Sequence, residues 1–392
     1  MTLARKLSVI AVVYVIEGFP MGVHDLWPVF LRRHGVSRTE IGLLSALSLA
    51  WSFKVFWSPL VDRFGEPRRW IGGALVVMVG ALLLIAATQP QQHVSIVLWI
   101  AMAVYCLGSA TQDIAIDAYT IGLIDRGEEG SANGMRMIAY RLGQSGLARG
   151  LLFTTRWIGW SGAFGLGALL SLAMSAAARA CPPVPTAAEA RRALAPAMRR
   201  WLARDGVAPV AAFILLYRVG DRAMAPMIQP FWVDAAFSDA EIALVSMLLG
   251  IPVALIGALA GASVVTRLGI YRALWLLGAL ALVSNFSYVL AALPSAPRSA
   301  IYAAACVESL CGWLASIAFM SFLMRICEKE HAAVQYALLT ALYALTGALI
   351  AMPSGWFTDR IGYAGYFALT AAFALPAFAV LPRTRAWIDA DA

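Results

Sequence analysis

The sequence predicts an all-α integral membrane protein, with about twelve transmembrane helices in two pseudo-symmetric six-helix bundles. Three observations predict it. First, 61% of the residues are hydrophobic and 13% charged, with a mean hydropathy of +0.75, whereas a soluble domain is roughly half apolar and a quarter charged. Second, apolar stretches near the ~20 residues that cross a bilayer recur along all 392 positions, leaving no room for a sizeable soluble domain. Third, the two halves of the chain repeat each other, the mark of a fold built by duplication.

In the first half the expected spans are 7–30, 40–60, 70–87, 94–116, 131–154 and 161–178. The first follows Arg5 and Lys6 as a signal peptide would, yet it contains Glu17 and Pro20 and lacks a small-residue cleavage site, so it reads as an uncleaved span. Residues 179–206 are rich in Ala, Pro and Arg and read as a cytoplasmic linker, helical from about 186 to 202. The second half offers 207–231, 241–264, 272–293, 300–324, 332–351 and 362–381. The expected division is a bundle over 1–178, the linker 179–206, a bundle over 207–382 and a tail over 383–392.

The repeat is visible residue by residue. Ser37-Arg-Thr-Glu40-Ile41 matches Ser238-Asp-Ala-Glu241-Ile242, and Trp160-Ser-Gly-Ala-Phe164 matches Tyr363-Ala-Gly-Tyr-Phe367, each about 200 positions apart. Asp62-Arg63-Phe64-Gly65 matches Thr266-Arg267-Leu268-Gly269. Two parallel six-helix repeats resemble the major facilitator pattern, in which substrate binds at the midplane between the halves.

The formal charge of +8 does not point to nucleic acid. About eighteen basic residues fall in loops and tails of one side, about six on the other and about six within spans, which by the positive-inside rule places both termini in the cytoplasm. The five cysteines form no CxxC pair, and the four histidines, His24, His34, His93 and His331, lie far apart. There is no HExxH and no phosphate-binding loop, so neither an enzyme, a metal site nor a cofactor is expected.

Charged groups inside apolar spans are costly and mark function or buried pairs. In the first span Tyr14, Glu17, Met21 and His24 share a face. Glu17 lies about 16 Å along the helix from the cytoplasmic end, near the midplane, where a carboxyl is suited to carry a proton or to pair permanently with an arginine. Asp25 lies nearer the outer surface, as a gate or a solvated end. Lys54, flanked by Trp51 and Trp57, either snorkels to the interface or forms a buried ion pair. Asp62, Arg63 and Gly65 belong to a tight charged turn that pins neighbouring helices, with Asp117 a candidate partner.

Asp113 and Asp117 lie on one face of the fourth span, toward the inner gate. Arg136, Tyr140 and Gln144 form a stripe of the fifth, with Arg141 beside it. A guanidinium at that depth either binds an anionic solute or pairs with Glu17 or an aspartate. Arg149 is a candidate for the outer vestibule. In the seventh span Arg218, Asp221 and Arg222 are either a self-neutralised cluster or a substrate and proton site. Glu308 in the tenth is a buried acid, and Asn285 in the ninth a further polar group.

The segments Glu17-Gly-Phe-Pro20, Phe53-Lys54-Val-Phe-Trp57-Ser-Pro59-Leu-Val-Asp62-Arg63, Gln112-Asp113-Ile-Ala-Ile-Asp117-Ala-Tyr119, Ala139-Tyr140-Arg141-Leu-Gly143 and Leu216-Tyr217-Arg218-Val-Gly220-Asp221 resemble the AmpG-type muropeptide permeases. That group also holds acetyl-coenzyme A transporters and siderophore permeases. The resemblance implies proton-coupled import of a bulky polar or anionic solute across the bacterial inner membrane by alternating access. The partners expected are a small-molecule substrate, protons and the lipid bilayer, with no nucleic acid and a monomeric chain. In this reading Glu17, Asp221 and Glu308 couple protons. Tyr14, Tyr140, Arg141, Gln144, Arg218 and Arg222 bind substrate. Lys54, Asp62, Arg63, Gly65, Asp113, Asp117 and Arg136 govern the gate. The preferred cargo is an anhydro sugar-peptide, with a pyochelin-like siderophore as the rival. A multidrug exporter would want an apolar cavity, and a receptor or scaffold would bind without pH-dependent accumulation.

Overall fold

The computed structural model describes residues 1–125, 128–184, 201, 203–250, 252–327 and 332–389. Among them the protein is helical with no strand. The linker helix expected over 186–202 lies outside the described residues, apart from residue 201.

Helices of the first half are α1 (Leu3–His24), α2 (Trp27–Arg33), α3 (Arg38–Leu43), α4 (Leu49–Phe53), α5 (Ser58–Arg63), α6 (Pro67–Ala87), α7 (Ile96–Leu123), α8 (Glu129–Arg141) and α9 (Arg149–Ala180). The second half has α10 (Val207–Leu216), α11 (Val219–Asp234), α12 (Asp239–Gly250), α13 (Pro252–Leu268), α14 (Ile270–Ala291), α15 (Arg298–Arg325), α16 (Ala332–Ala351), α17 (Ser354–Val380) and α18 (Arg385–Asp389).

Eight helical runs among the described residues are long and apolar enough to cross a membrane. The difference from twelve has a physical origin. The run Ser131–Ala180 has 50 residues, about 75 Å at 1.5 Å per residue, more than twice a ~30 Å hydrocarbon core. Gly159, at φ 64° and ψ −178°, breaks it into two passes. Gly362, at φ 71° and ψ 171°, likewise interrupts α17, and the eleventh expected span appears only as the shorter apolar stretch Leu338–Ala351 among the described residues. Only a residue without a Cβ adopts that backbone freely. The second and seventh expected spans, in contrast, are assembled from short helical pieces and fall below the length of a single long helix.

The repeat therefore extends to backbone conformation. Left-handed residues recur in matched positions about 200 apart: Gly35 with Ala236, Gly65 with Gly269, and Gly159 with Gly362. Just after Ala236, Ser238 and Glu241 form a reciprocal capping box that starts α12, with Ser238 N–H donating to Glu241 (2.7 Å) and Glu241 N–H to Ser238 Oγ (3.2 Å).

The chain forms two compact units. One holds 1–37, 47–190 and 236–247; the other holds 38–46, 191–235 and 248–392. In the first, α1 crosses α8 and the π-helical stretch Leu142–Ala148 at backbone contact: a Cβ on Gly18 would lie 2.1 Å from Tyr140 O, and one on Gly22 2.3 Å from Gln144 O. Small residues on such a seam let two membrane helices approach closely, and this approach brings the polar faces of α1 and α8 together. In the second unit, a core of Phe213, Ile214, Tyr217, Phe319 and Phe322 joins α10, α14 and α15.

Candidate functional site

The first unit gathers six of the expected residues, two of them on α1 itself. The guanidinium of Arg136 lies over the buried ring of Tyr14 at 4.8 Å and 3.3 Å from Asp117. Lys54 donates to Asp113 and lies 3.8 Å from Asp117, a partly buried ion-pair arrangement. The Glu17 carboxyl lies beside Asp113, and its Oε2 is buried without a hydrogen-bond partner. This cluster holds three carboxyls against two cations. Asp117 is engaged by Lys54 and Arg136. The side chain of Asp62 lies outside the described residues, and Arg63 stacks on Phe64 at 5.6 Å.

A second polar group of the same unit lies about two turns beyond Glu17, at the C-terminal end of α1. Arg141 donates to Gln144 Oε1 (3.0 Å), Gln144 donates to Asp25 Oδ2 (3.1 Å), and Arg149 reaches the same oxygen at 3.5 Å. The π-helical stretch resets the expected stripe of Arg136, Tyr140 and Gln144, because each turn of a π-helix holds an extra residue. Gln144 consequently faces Asp25, and Arg141 is tied to Gln144 rather than to Glu17. Arg149 Nη1 and Trp27 Nε1 are buried without hydrogen-bond partners.

The second unit brings together Arg218, Asp221, Arg222 and Glu308. Arg218 Nε lies 2.8 Å from Asp221 Oδ2 and its Nη1 donates to Gly312 O at 2.6 Å. Asn285 donates to Asp221 Oδ1 at 3.2 Å. Arg222 donates to Tyr343 OH at 2.9 Å and lies over that ring at 4.6 Å. Gly312 keeps the space between Arg218 and Glu308 open, since a Cβ there would lie 3.7 Å from both side chains. Two cations here meet two carboxyls. Among the described residues no group of three His, Cys, Asp or Glu could hold a metal ion.

Sequence reasoning missed two paired turns. In the first unit Arg33 Nε meets Asp239 at 2.7 Å, Thr155 donates to the other Asp239 oxygen at 3.1 Å, and Arg33 also donates to Phe237 O. In the second unit Arg38 meets Asp234 at 3.2 Å and Asp359 at 3.4 Å, while Tyr363 donates to Asp234 at 2.8 Å. The signal was present: Arg33 and Arg38 occupy the repeat positions of Asp234 and Asp239. The duplicated turn carries opposite charge in its two copies. Lys6 was missed as well; it is 4% exposed and donates to Asp125 and to Glu128, the latter at 2.7 Å.

The Major Facilitator Superfamily model matches residues 10–340. The anhydromuropeptide permease of Escherichia coli (strain K12) is 30% identical over 357 residues, covering 87% of this chain and 72% of that one. A Rickettsia felis protein named AmpG 4 is 23% identical, covering 96% and 95%. Among solved structures, a bacterial homologue of the human lysosomal transporter Spinster, inward-facing and unoccupied, superposes with a TM-score of 0.80 over 98% of both chains at 12% identity. A POT family transporter in complex with a thioalcohol-conjugated peptide gives 0.74 over 98% and 97% at 12% identity. At these identities the structural likeness speaks for the fold alone.

Proposed function

This chain belongs to the Major Facilitator Superfamily, within it to the AmpG-type permeases, and on that premise we propose that it imports a cell-wall muropeptide together with protons. It is a multi-pass transporter of a small molecule; the cargo, the proton and the direction are the proposal. The name of the E. coli relative supports the cargo. Arg141 with Gln144, and Arg218 with Arg222, offer donors to the carboxylates of an anhydro sugar-peptide, as guanidinium forks bind such groups. Tyr140 adds flat surface for the sugar, whereas the expected role of Tyr14 is corrected: it is 0% exposed and its ring is covered by Arg136.

The observation that carries the proton is the charge count around Glu17. Three carboxyls share that cluster with Lys54 and Arg136, and an uncompensated buried charge is costly. A proton on Glu17 supplies the missing positive charge. Its arrival and departure change the cluster from balanced to unbalanced, which ties transport to the proton gradient. Asp113, Asp117, Lys54 and Arg136, with the turn of Asp62, Arg63 and Gly65, form the inner gate beside it. Glu308 and Asp221 serve the corresponding position in the second half. The working division is 1–178 and 207–382 joined by the linker 179–206, with the tail 383–392 and both termini in the cytoplasm of a bacterial inner membrane and the chain acting as a monomer.

The test is uptake of labelled anhydro-muropeptide into proteoliposomes, with and without an inward proton gradient, for wild type and Glu17→Gln. Wild type accumulates the solute only with the gradient, and Glu17→Gln binds it without accumulation. Failure of wild type to bind or accumulate it removes the cargo and makes a siderophore the next solute to try. Gradient-driven accumulation by Glu17→Gln removes Glu17 as the carrier.

A further inference from the structure

On the face of α7 away from Asp113 and Asp117, a groove of about 610 Å³ runs between α6 and α7. Its walls are Gly73, Ala74 and Val77 of α6 and Val104, Leu107, Gly108 and Thr111 of α7, and Phe64, Gly65, Arg69 and Trp70 close one end. Thr111 sits about half a turn around the helix from Asp113, so the groove is separate from the charge cluster. We propose that it is a binding site for one anionic phospholipid, with an acyl chain along the groove and the phosphate at Arg69.

The groove is built open. A Cβ on Gly73 or on Gly65 would meet nothing within 4 Å, so on the α6 wall the missing side chain is not replaced by a neighbour. Its polar atoms are internally satisfied: Thr111 donates to Leu107 O at 2.7 Å and accepts from Trp57 Nε1 at 3.1 Å, and Trp70 Nε1 donates to Phe64 O. What remains is apolar and accessible, with Val77 50% and Leu107 49% exposed. That surface asks for hydrocarbon rather than for a polar solute.

Length and charge select the occupant. From Arg69 to Val77 is eight residues of α6, about 12 Å, close to the ~15 Å hydrocarbon depth of one leaflet. The polar end carries Arg69, whose side chain is 75% exposed and meets Glu66 only at 3.7 Å, while Glu66 bonds Arg68 at 2.8 Å. Arg63 is exposed beside it. Trp70 stands where interfacial tryptophans anchor at headgroup level. Basic side chains at the membrane surface over a groove between helices recognise anionic headgroups.

The experiment is native mass spectrometry of the purified full-length protein, reloaded with phosphatidylglycerol or phosphatidylethanolamine, for wild type, Gly73→Leu and Arg69→Gln. Wild type retains one phosphatidylglycerol in preference to phosphatidylethanolamine. Gly73→Leu fills the groove and abolishes retention. Arg69→Gln weakens it about fivefold, the worth of one basic side chain near an anionic surface. Equal retention of both lipids, or unchanged retention in Gly73→Leu, overturns the proposal. Should Gly73→Leu not fold, a phosphatidylglycerol with a photoreactive acyl chain decides. Crosslinks to Val104 or Leu107 support the site, and crosslinks only elsewhere overturn it.

Discussion

The two halves of this chain descend from one pattern yet hold their buried charge differently. Around Glu17 three carboxyls face Lys54 and Arg136; around Arg218 two carboxyls face two guanidiniums. In the second cluster Asp221 is held by Arg218 on one oxygen and Asn285 on the other. In the first, Glu17 has a buried oxygen with no partner. The second cluster carries its own counter-charges, and the first, one positive charge short, has the stronger reason to exchange a proton. Duplication supplied the frame, and the charge count distinguishes its two copies.

The largest effect expected from this comparison is on stability. Asp221→Asn leaves Arg218, with a side chain only 10% exposed, short of its counter-charge, and breaking such a buried pair costs about 3–5 kcal/mol. Glu17→Gln removes the charge that lacks a partner and shifts stability by less than about 1 kcal/mol. Thermal denaturation of the two purified variants measures both. A greater loss in Glu17→Gln than in Asp221→Asn would break the comparison.

The oppositely charged turns sharpen it. Asp239→Arg sets two guanidiniums against each other, and the double variant Arg33→Asp/Asp239→Arg restores the pair with its sign exchanged. The side chains are 28% and 16% exposed, so the coupling recovered in a double-mutant cycle is about 1 kcal/mol. The same cycle at Arg38 and Asp234 gives a similar value. No coupling at either turn would make the reversed charges incidental.

The smallest effect concerns Lys6, which has no counterpart in the second half. Its hydrogen bonds to Asp125 and Glu128 hold both carboxyls below the usual carboxylate range. A depressed carboxyl contributes stability that is present above its unfolded value, near pH 4, and is lost as pH falls through the folded value. Melting curves of wild type from pH 7 to pH 3 show a decline below about pH 4 that Lys6→Met reduces. Equal acid sensitivity in the variant would mean that the cluster contributes nothing.

Much of the fold was legible in composition and repetition. Apolar runs are helical in lipid because the backbone must satisfy itself, so the spans expected over 70–87 and 272–293 were read with ends off by only a few residues. The breaks at Gly159 and Gly362 fall where the matched motifs begin. The site was legible as a list of expensive residues. It was not legible as pairs, because pairing depends on how each helix is turned about its axis. The π-helical stretch after Arg141 illustrates this, since it turns Gln144 toward Asp25.

By itself the sequence determined a duplicated helical membrane protein with carboxyls and guanidiniums at midspan depth. Hydrophobicity and helical periodicity act locally, and a linear reading contains them. Only the tertiary structure decided that Lys54 meets Asp113, that Glu17 is left over, and that Arg33 and Arg38 meet the aspartates of the other copy of their turn. Those facts rest on residues up to about 200 positions apart reaching within a few ångströms. Backbone contact at Gly18 and Gly22 sets one such approach, and no local rule measures it.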